Sequence, residues 1–457
     1  MSQQNRPLAE NKMGTMPITR LLVNMALPLI FSMLVQAMYN IVDSIYISRV
    51  SESAVTALGL AFPIQNLIIS FGVGTAVGVN ALLSRSLGER NQENANLAAG
   101  NGLFLVLLFS VFFALFGLFG ARPYFEMQSS VTETVQGGSA YLEICSIFSL
   151  GCLVQILCER LLQSTGRSFL SMVLQATGAA LNIILDPVFI FGWFGLPAMG
   201  VAGAAVATVL AQWLSAGLGI FLNLRCNPDL HLAPRFIKPH GEIIRIILSI
   251  SIPSILMIGI GSVMTFGMNQ ILQGFNETAT GVFGIYFKLQ SFVFMPVFGI
   301  NNATISIIAF NYGAQKPDRV MSTVHHAMVI AFCIMLFGAL GFELVPDLLL
   351  NIFNPTPEFS RMGRVALRVI ALSFPMAALG IAMSGFFQAL GKSTYSALAS
   401  LCRQLVILLP AAYLLSLAGN VDLVWWSFPI AEVVSLVVSF VLYRKLFKAK
   451  IKPLFGA

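Results

Sequence analysis

The sequence predicts an all-α polytopic membrane protein, with twelve transmembrane helices in two pseudo-symmetric six-helix bundles built as a parallel repeat. Three observations lead there. Of 457 residues, 57% are apolar and only 10% are charged, against about 25% charged in an ordinary soluble domain. So few charges cannot coat a soluble protein of this size. Twelve stretches are long and apolar enough to cross a bilayer, and the chain matches itself when shifted by 225 residues.

A spanning helix needs about 20 apolar residues. Segments at roughly 21–47, 54–83, 97–120, 136–158, 169–192, 199–224, 244–272, 279–309, 322–345, 365–389, 394–418 and 422–443 meet that length. They are apolar all round and far too long for strands, and a β-barrel would show weaker, alternating stretches of about ten residues. Residues 1–20 form a polar tail carrying Arg6, Lys12 and Arg20. They lack the short apolar core and small-residue cleavage site of a signal peptide. The longest hydrophilic connector, 225–242, holds Pro228, Pro234 and Pro239 and divides a first lobe (21–224) from a second (243–446). Residues 447–457 close the chain as a second tail.

Charge placement gives an expected orientation. With both termini cytoplasmic, only Arg49, Arg122, Arg361, Arg364 and Arg368 fall on the outward side, and Lys288 and Arg403 fall inside the membrane; the rest of the 26 basic residues face inward. Basic loops mark the cytoplasmic side, so the net charge of +7 reports topology and not a nucleic-acid partner.

The repeat runs without a gap. At the 225-residue offset Pro28 falls on Pro253, Glu52 on Glu277, Ala54 on Ala279, Gly59 on Gly284, Phe62 on Phe287, Gln65 on Gln290, Gly74 on Gly299 and Gly88 on Gly313. Further on, Gln163, Gly166 and Ser168 fall on Gln388, Gly391 and Ser393. Each copy holds six segments, an even number, so both share one orientation, and repeats of that kind are related by an axis along the membrane normal. Two such bundles meeting at a cleft form an alternating-access transporter architecture.

Other chemistries find little support. There is no HExxH and no GxSxG. His325 and His326 open the ninth segment without a nearby carboxylate and read as interfacial. Gly391-Lys392-Ser393 looks like the end of a phosphate-binding loop, but Gly385 is one residue too far away and no strand precedes it. The first copy reads Gly166-Arg167-Ser168 at the same place, so this is a repeated helix-turn-helix loop. No cofactor is implied, and an ion gradient is the natural energy source. Five of the six cysteines (Cys145, Cys152, Cys158, Cys226, Cys333 and Cys402) lie in apolar stretches, with no CxxC pair, and read as small apolar residues.

Ionisable groups in the bilayer cost at least ~2.5 kcal/mol each and usually mark function. The candidates are Asp43 in segment 1, Asp186 in segment 5, Glu432 in segment 12, Lys288 in segment 8 and Arg403 in segment 11. Tyr39 lies one turn before Asp43, and Asn182 one turn before Asp186, so each acid has an oxygen-bearing neighbour on its own helix face. Oxygen donors suit Na⁺, and burial favours a carboxylate that takes up a proton. The bland alternative places both acids in water at the outer helix ends. The second copy has Met268 at the place of Asp43 and Ala411 at the place of Asp186, which assigns ion coupling to the first bundle. Pro28 interrupts the hydrogen bonding of segment 1 and favours a bend there, although proline is also tolerated in membrane helices without a role. Glu432 could pair with Lys288 or Arg403, with a structural role favoured.

These residues form a familiar set. The chain resembles the multidrug and toxic compound extrusion (MATE) family over essentially its whole length. The resemblance rests on Leu27-Pro28, Tyr39-Asn40-Ile41-Val42-Asp43, Ala57-Leu58-Gly59, Leu161-Leu162-Gln163-Ser164-Thr165-Gly166-Arg167, Leu181-Asn182-Ile183-Ile184-Leu185-Asp186-Pro187-Val188-Phe189-Ile190, Gly200-Val201-Ala202-Gly203-Ala204-Ala205-Val206-Ala207-Thr208, and Gln388-Ala389-Leu390-Gly391-Lys392. It implies an antiporter that expels amphipathic, often cationic organic compounds in exchange for H⁺ or Na⁺. The DinF-like branch of that family places its cation site on the equivalents of Asp43, Asn182 and Asp186 with a helix 6 threonine, matched here by Thr208. The NorM-like branch uses acids in helices 7 and 10, and segments 244–272 and 365–389 contain none.

The sequence therefore points to a monomeric, non-enzymatic multidrug efflux antiporter of the bacterial inner (plasma) membrane. Its partners would be drug-like small molecules, H⁺ or Na⁺, and the lipid bilayer. The site residues would be Asp43, Asp186, Asn182, Tyr39 and Thr208, with possible Na⁺ at Asp43, Asn182 and Asp186, and Pro28 as the bending point. The 37 Phe and 19 Met residues suit promiscuous binding of flat cations. The alternative is a lipid-linked oligosaccharide flippase of the same two-lobe form, which would need a more cationic interior than Lys288 and Arg403 supply.

Overall fold

A computed structural model describes residues 11–353 and 356–455, apart from the side chains of Asn40 and Glu52. The first ten residues of the N-terminal tail, with Arg6, and the last two of the C-terminal tail lie outside the described residues. Among the described residues every regular element is helical. Ten helices are each long and apolar enough to span a bilayer, and two bent pairs bring the number to twelve. In chain order, the first six are helix 1 (Ile18–Ser48), helix 2 (Glu52–Gly88), helix 3 (Gln92–Gln128), helix 4 (Thr132–Ile147 and Leu150–Ser164), helix 5 (Ser168–Ile190) and helix 6 (Gly200–Arg225). The second six are helix 7 (Gly241–Gln273), helix 8 (Glu277–Gly313), helix 9 (Pro317–Leu344), helix 10 (Pro357–Ala371 and Phe374–Ala389), helix 11 (Ser393–Leu401, continued to Ser416) and helix 12 (Ser427–Leu446).

The two copies share their turns, position by position. Helix 2 opens on Ser51, whose Oγ accepts the Ala54 N–H at 3.0 Å, and helix 8 on Asn276, whose Oδ1 accepts the Ala279 N–H at 2.8 Å. Helix 4 bends by 49° and helix 10 by 47°. Helices 4 and 10 end in the same left-handed turn, with Gly166 at φ 82° and Gly391 at φ 72°. There the Arg167 N–H reaches back to the Leu162 carbonyl at 2.7 Å and the Lys392 N–H to the Phe387 carbonyl at 2.8 Å. Glycine is used because a Cβ disfavours that backbone region. This is the helix-turn-helix geometry expected for the Gly-Arg/Lys-Ser triplets.

By internal packing the chain divides into two compact units. Unit 1 holds the chain up to Met16 together with Phe31–Ile255, and unit 2 holds Pro17–Ile30 and the chain from Leu256 on. Helices 1 and 7 each contribute to both units. They change at Ile30/Phe31 and Ile255/Leu256, positions equivalent in the repeat, and Pro28 and Pro253 lie just before these changes.

Within unit 1 one core gathers Leu83, Leu105, Phe113, Leu157 and Leu174, and a second gathers Ile47, Ala57, Phe125, Tyr141 and Ile190. Unit 2 packs Met268, Phe283, Phe374 and Trp425 in one cluster and Ile305, Phe386 and Phe387 in another. Lipid-like surroundings give no hydrophobic drive for helices to meet, so close approach depends on small residues. At Gly138 a Cβ would strike the Phe125 ring. The connector after helix 6 is tied down on unit 1: Gln92 Nε2 donates to the Asp229 carbonyl at 2.6 Å, the His240 N–H to Asn101 Oδ1 at 2.7 Å, and Arg167 pairs with Asp229 at 3.1 Å.

Each chain end grips the turn of its own unit at equivalent positions. Asn11 Nδ2 donates to the Thr165 carbonyl at 3.2 Å in unit 1, and Lys450 Nζ donates to the Leu390 carbonyl at 2.8 Å in unit 2. Met13 is fully buried beside this contact. Partial burial, and then the neighbouring Arg167 guanidinium, hold the Lys12 ammonium below the usual lysine range. The docked tail therefore disfavours the charged amine. That penalty applies at neutral pH and lifts as pH rises toward the ordinary lysine pKa. Lys12→Met should increase protection of residues 11–16 in hydrogen exchange. Asn11→Ala should reduce it, by about 0.5–2 kcal/mol for the lost cap and tether.

Candidate functional site

Asp43 stands near the end of helix 1 and Asp186 near the end of helix 5, both within unit 1. Asp186 is fully buried and Asp43 partly buried, and their charges act on one another. Each carries a buried Oδ1 without a hydrogen-bond partner among the described residues. Pro187 follows Asp186 directly and removes the N–H that would bond the Ile183 carbonyl, which loosens the helix beside the acid.

The neighbours organise this pair. Asn182 Nδ2 donates to Asp186 Oδ2 at 2.9 Å, and its Oδ1 accepts from Thr208 Oγ1 at 3.1 Å and from the Thr208 N–H at 3.2 Å. Asn182 thus bridges helices 5 and 6. Tyr39, predicted to partner Asp43, hydrogen-bonds Thr208 instead while remaining within the field of both acids. The reason is reach: a tyrosine hydroxyl stands far from its own helix axis and meets the facing helix. Hydrogen bonds thus join Asp186, Asn182, Thr208 and Tyr39, with Thr208 as the meeting point of Asn182 and Tyr39, and Asp43 lies within the field of Asp186 and Tyr39. Their oxygens (two carboxylates, an amide, a hydroxyl and a phenol) form a set suited to a proton or a hard cation such as Na⁺.

Three residues of this neighbourhood were not predicted. Gln65 Nε2 donates to the Tyr141 hydroxyl at 2.6 Å, and Tyr141 and Cys145 on helix 4 lie within the field of Asp43. Gln65 showed itself in the sequence only as a repeat match to Gln290. Pro28 lies outside the cluster, in the part of helix 1 that packs in unit 2.

Unit 2 has different chemistry at the equivalent places. Met268 is fully buried in an apolar cluster, and Ala411 follows Pro410 and a π-helical stretch, Cys402–Leu408. Proline supplies no N–H to the helix ladder, which accounts for the widened turn before it. Of the open pairings for Glu432, the structure makes the one with Arg403, at 2.9 Å. Lys288 is exposed. One placement needs correction. Arg160, expected in an inward loop after a segment ending at 158, lies inside helix 4 together with Glu159, and both are buried. The hydrophobic stretch ended there, but the helix did not.

The MatE family profile matches residues 28–188 and again residues 253–414, two matches beginning 225 residues apart. The chain belongs to the MATE family. Among curated MATE relatives it is 24% identical to the multidrug export protein MepA of Staphylococcus haemolyticus, over 93% of each chain. It is 22% identical to the probable multidrug resistance protein NorM of Thermotoga maritima, over 82% of this chain and 81% of the relative. Its fold matches an outward-facing multidrug resistance MATE family transporter with a TM-score of 0.91, at 24% identity and covering 99% of this chain and all of the other. As a MATE protein it is a multi-pass membrane transporter and not an enzyme.

Because the Thr208 hydroxyl serves two neighbours, Thr208→Val should leave the Tyr39 hydroxyl without this partner and Asn182 Oδ1 with the backbone N–H of residue 208 alone, and cost about 1–3 kcal/mol. Thr208→Ser should recover most of that loss, read as thermal unfolding of the purified protein in detergent.

Proposed function

We propose that this MATE transporter is a secondary active exporter of amphipathic, often cationic organic compounds, driven by inward movement of H⁺ or Na⁺ at the Asp43–Asp186 pair. Its relatives are named for multidrug export, which supports the substrate class. The observation that carries the coupling reading is the pair itself. Two carboxylates on different helices lie within one another's field, each with an unpartnered oxygen among the described residues, while the equivalent positions in the second copy are Met268 and Ala411. Two like charges cannot both persist at such a site, so one proton or one cation is taken up. This arrangement fits the DinF-like branch. Both termini are cytoplasmic in this reading, the membrane is the bacterial inner membrane, and the unit of function is a monomer.

Coupling requires that ion binding favour one conformation over another. Asn182, Thr208 and Tyr39 supply the link, because they tie helices 1, 5 and 6 to the state of the acids. Pro28 supplies the compliance: helix 1 changes unit within a turn of it, so bending there would move the Asp43 segment. The flippase alternative loses ground, since Arg403 is neutralised by Glu432, leaving Lys288 as the other cation it would need.

Proteoliposomes loaded with a fluorescent dye cation test the proposal, with a pH gradient or a sodium gradient imposed separately. Asp43→Asn should lower gradient-driven efflux by about 5–150-fold, the range of a ~1–3 kcal/mol coupling free energy. Unchanged efflux would remove Asp43 from the mechanism, and the gradient that works identifies the ion.

A further inference from the structure

Below the acid pair, unit 1 contains a second polar group that the coupling mechanism does not use. Glu159, in the second half of helix 4, is 9% exposed. Gln155 Nε2, one turn earlier, donates to its Oε1 at 3.1 Å. No ion pair within 4.0 Å involves it among the described residues. Its neighbour Arg160 turns away and donates to Gln163 Oε1 at 3.1 Å, and Gln163 in turn donates to Ser171 Oγ at 2.9 Å.

Space has been made for this group. A Cβ at Gly178 on helix 5 would lie 3.2 Å from Gln155 Nε2 and 2.7 Å from Ser215 Oγ of helix 6, so only glycine leaves room for both polar side chains. Ser215 is fully buried and its Oγ has no hydrogen-bond partner among the described residues. Gly178 lies two turns along helix 5 from Asp186, about 12 Å at 1.5 Å per residue. A further tie at this depth joins helix 5 to helix 1, where Gln175 Nε2 donates to Gln36 Oε1 at 3.4 Å. Polar groups thus continue from the Asp43–Asp186 level toward the Gly166 turn.

We propose that Glu159 is a second proton-binding site of unit 1, held by Gln155 and separate from the Asp43–Asp186 pair. A buried carboxylate without a cation is costly, and a single donated hydrogen bond does not offset that cost. A proton removes the charge. The groups placed with it are compatible: Gln155, Arg160 and the thiols of Cys152 and Cys158 on its own helix, with neutral Gly178 of helix 5 beside Gln155 and next to Ser215 of helix 6. Arg160 is the charged residue whose field reaches it, and its guanidinium is engaged by Gln163. The second copy has Ser384 and Gly385 at these places, so this acid, like the pair, belongs to the first copy alone.

Infrared difference spectroscopy of the full-length protein in lipid reads protonated carboxyl groups directly and does not depend on transport. The wild type, Glu159→Gln and the Asp43→Asn/Asp186→Asn double variant are compared while the pH is stepped. The proposal expects a titrating carboxylic-acid C=O band that survives in the double variant and is lost in Glu159→Gln. Glu159→Asp, which keeps a carboxyl, should shift the band without removing it and guards against loss through misfolding. A Glu159→Gln spectrum that keeps all the titrating intensity of the wild type would overturn the assignment, as would a band that disappears with the aspartate pair. Failure of the coupling reading would show separately, as a double variant spectrally identical to the wild type.

Discussion

The arrangement of unit 1 depends on one constraint: a carboxylate withdrawn from water must be neutralised or its surroundings must compensate for it. Asp186 is fully buried and receives one hydrogen bond, from Asn182, while its other oxygen has none. Asp43, partly buried, also has a carboxylate oxygen without a partner among the described residues. Among the described residues neither acid has an arginine or lysine partner, although Glu432 has one. A site built for permanent stability would carry such a cation. The proposed function follows from that lack: compensating charge taken from solution would make the pair responsive to an ion.

The repeat shows which features a duplicated fold keeps and which it changes. Kept are the items fixed by local backbone geometry: the caps at Ser51 and Asn276, the left-handed glycines at 166 and 391, the positive φ of Arg90 and Gln315, and the bends of helices 4 and 10. Changed are the side chains between helices. Helices 5 and 6 are joined by Asn182 and Thr208, whereas their counterparts, helices 11 and 12, are joined by Arg403 and Glu432. The first junction carries an acid with an unpartnered oxygen, which is what the proposed function uses to bind an ion. The second is already neutral within itself.

The parts of this molecule legible in the sequence were those set by rare or periodic residues. Twelve apolar stretches stood out against sparse charges, and Asp43 and Asp186 stood out because acids are expensive in hydrocarbon. The break in helix 4 did not, since Phe148 and Ser149 carry no helix-breaking signal. Tyr39 was paired with Asp43 by spacing along one helix, but its hydroxyl found Thr208 on another. Glu159 and Arg160 were missed because a hydropathy boundary was taken for a helix boundary. A helix continues as long as its backbone bonds are satisfied, and here the polar pair is buried by its neighbours.

The asymmetry between copies also limits how such a protein can work. If both units carried ionisable pairs, each would respond to the gradient separately, and the two responses would need coordination. In the proposed function the coupling acids lie in one unit, so that unit alone would change its preferred packing when an ion binds, with the other as the reference. Helix 1 suits this division, since it begins in unit 2, passes Pro28 and carries Asp43 near its end in unit 1. In the proposed function, a helix packed at one end in unit 2 and carrying Asp43 toward the other converts a local change of charge into a change of shape. Its proline lowers the cost of that conversion, because the hydrogen bond a bend would break is already missing.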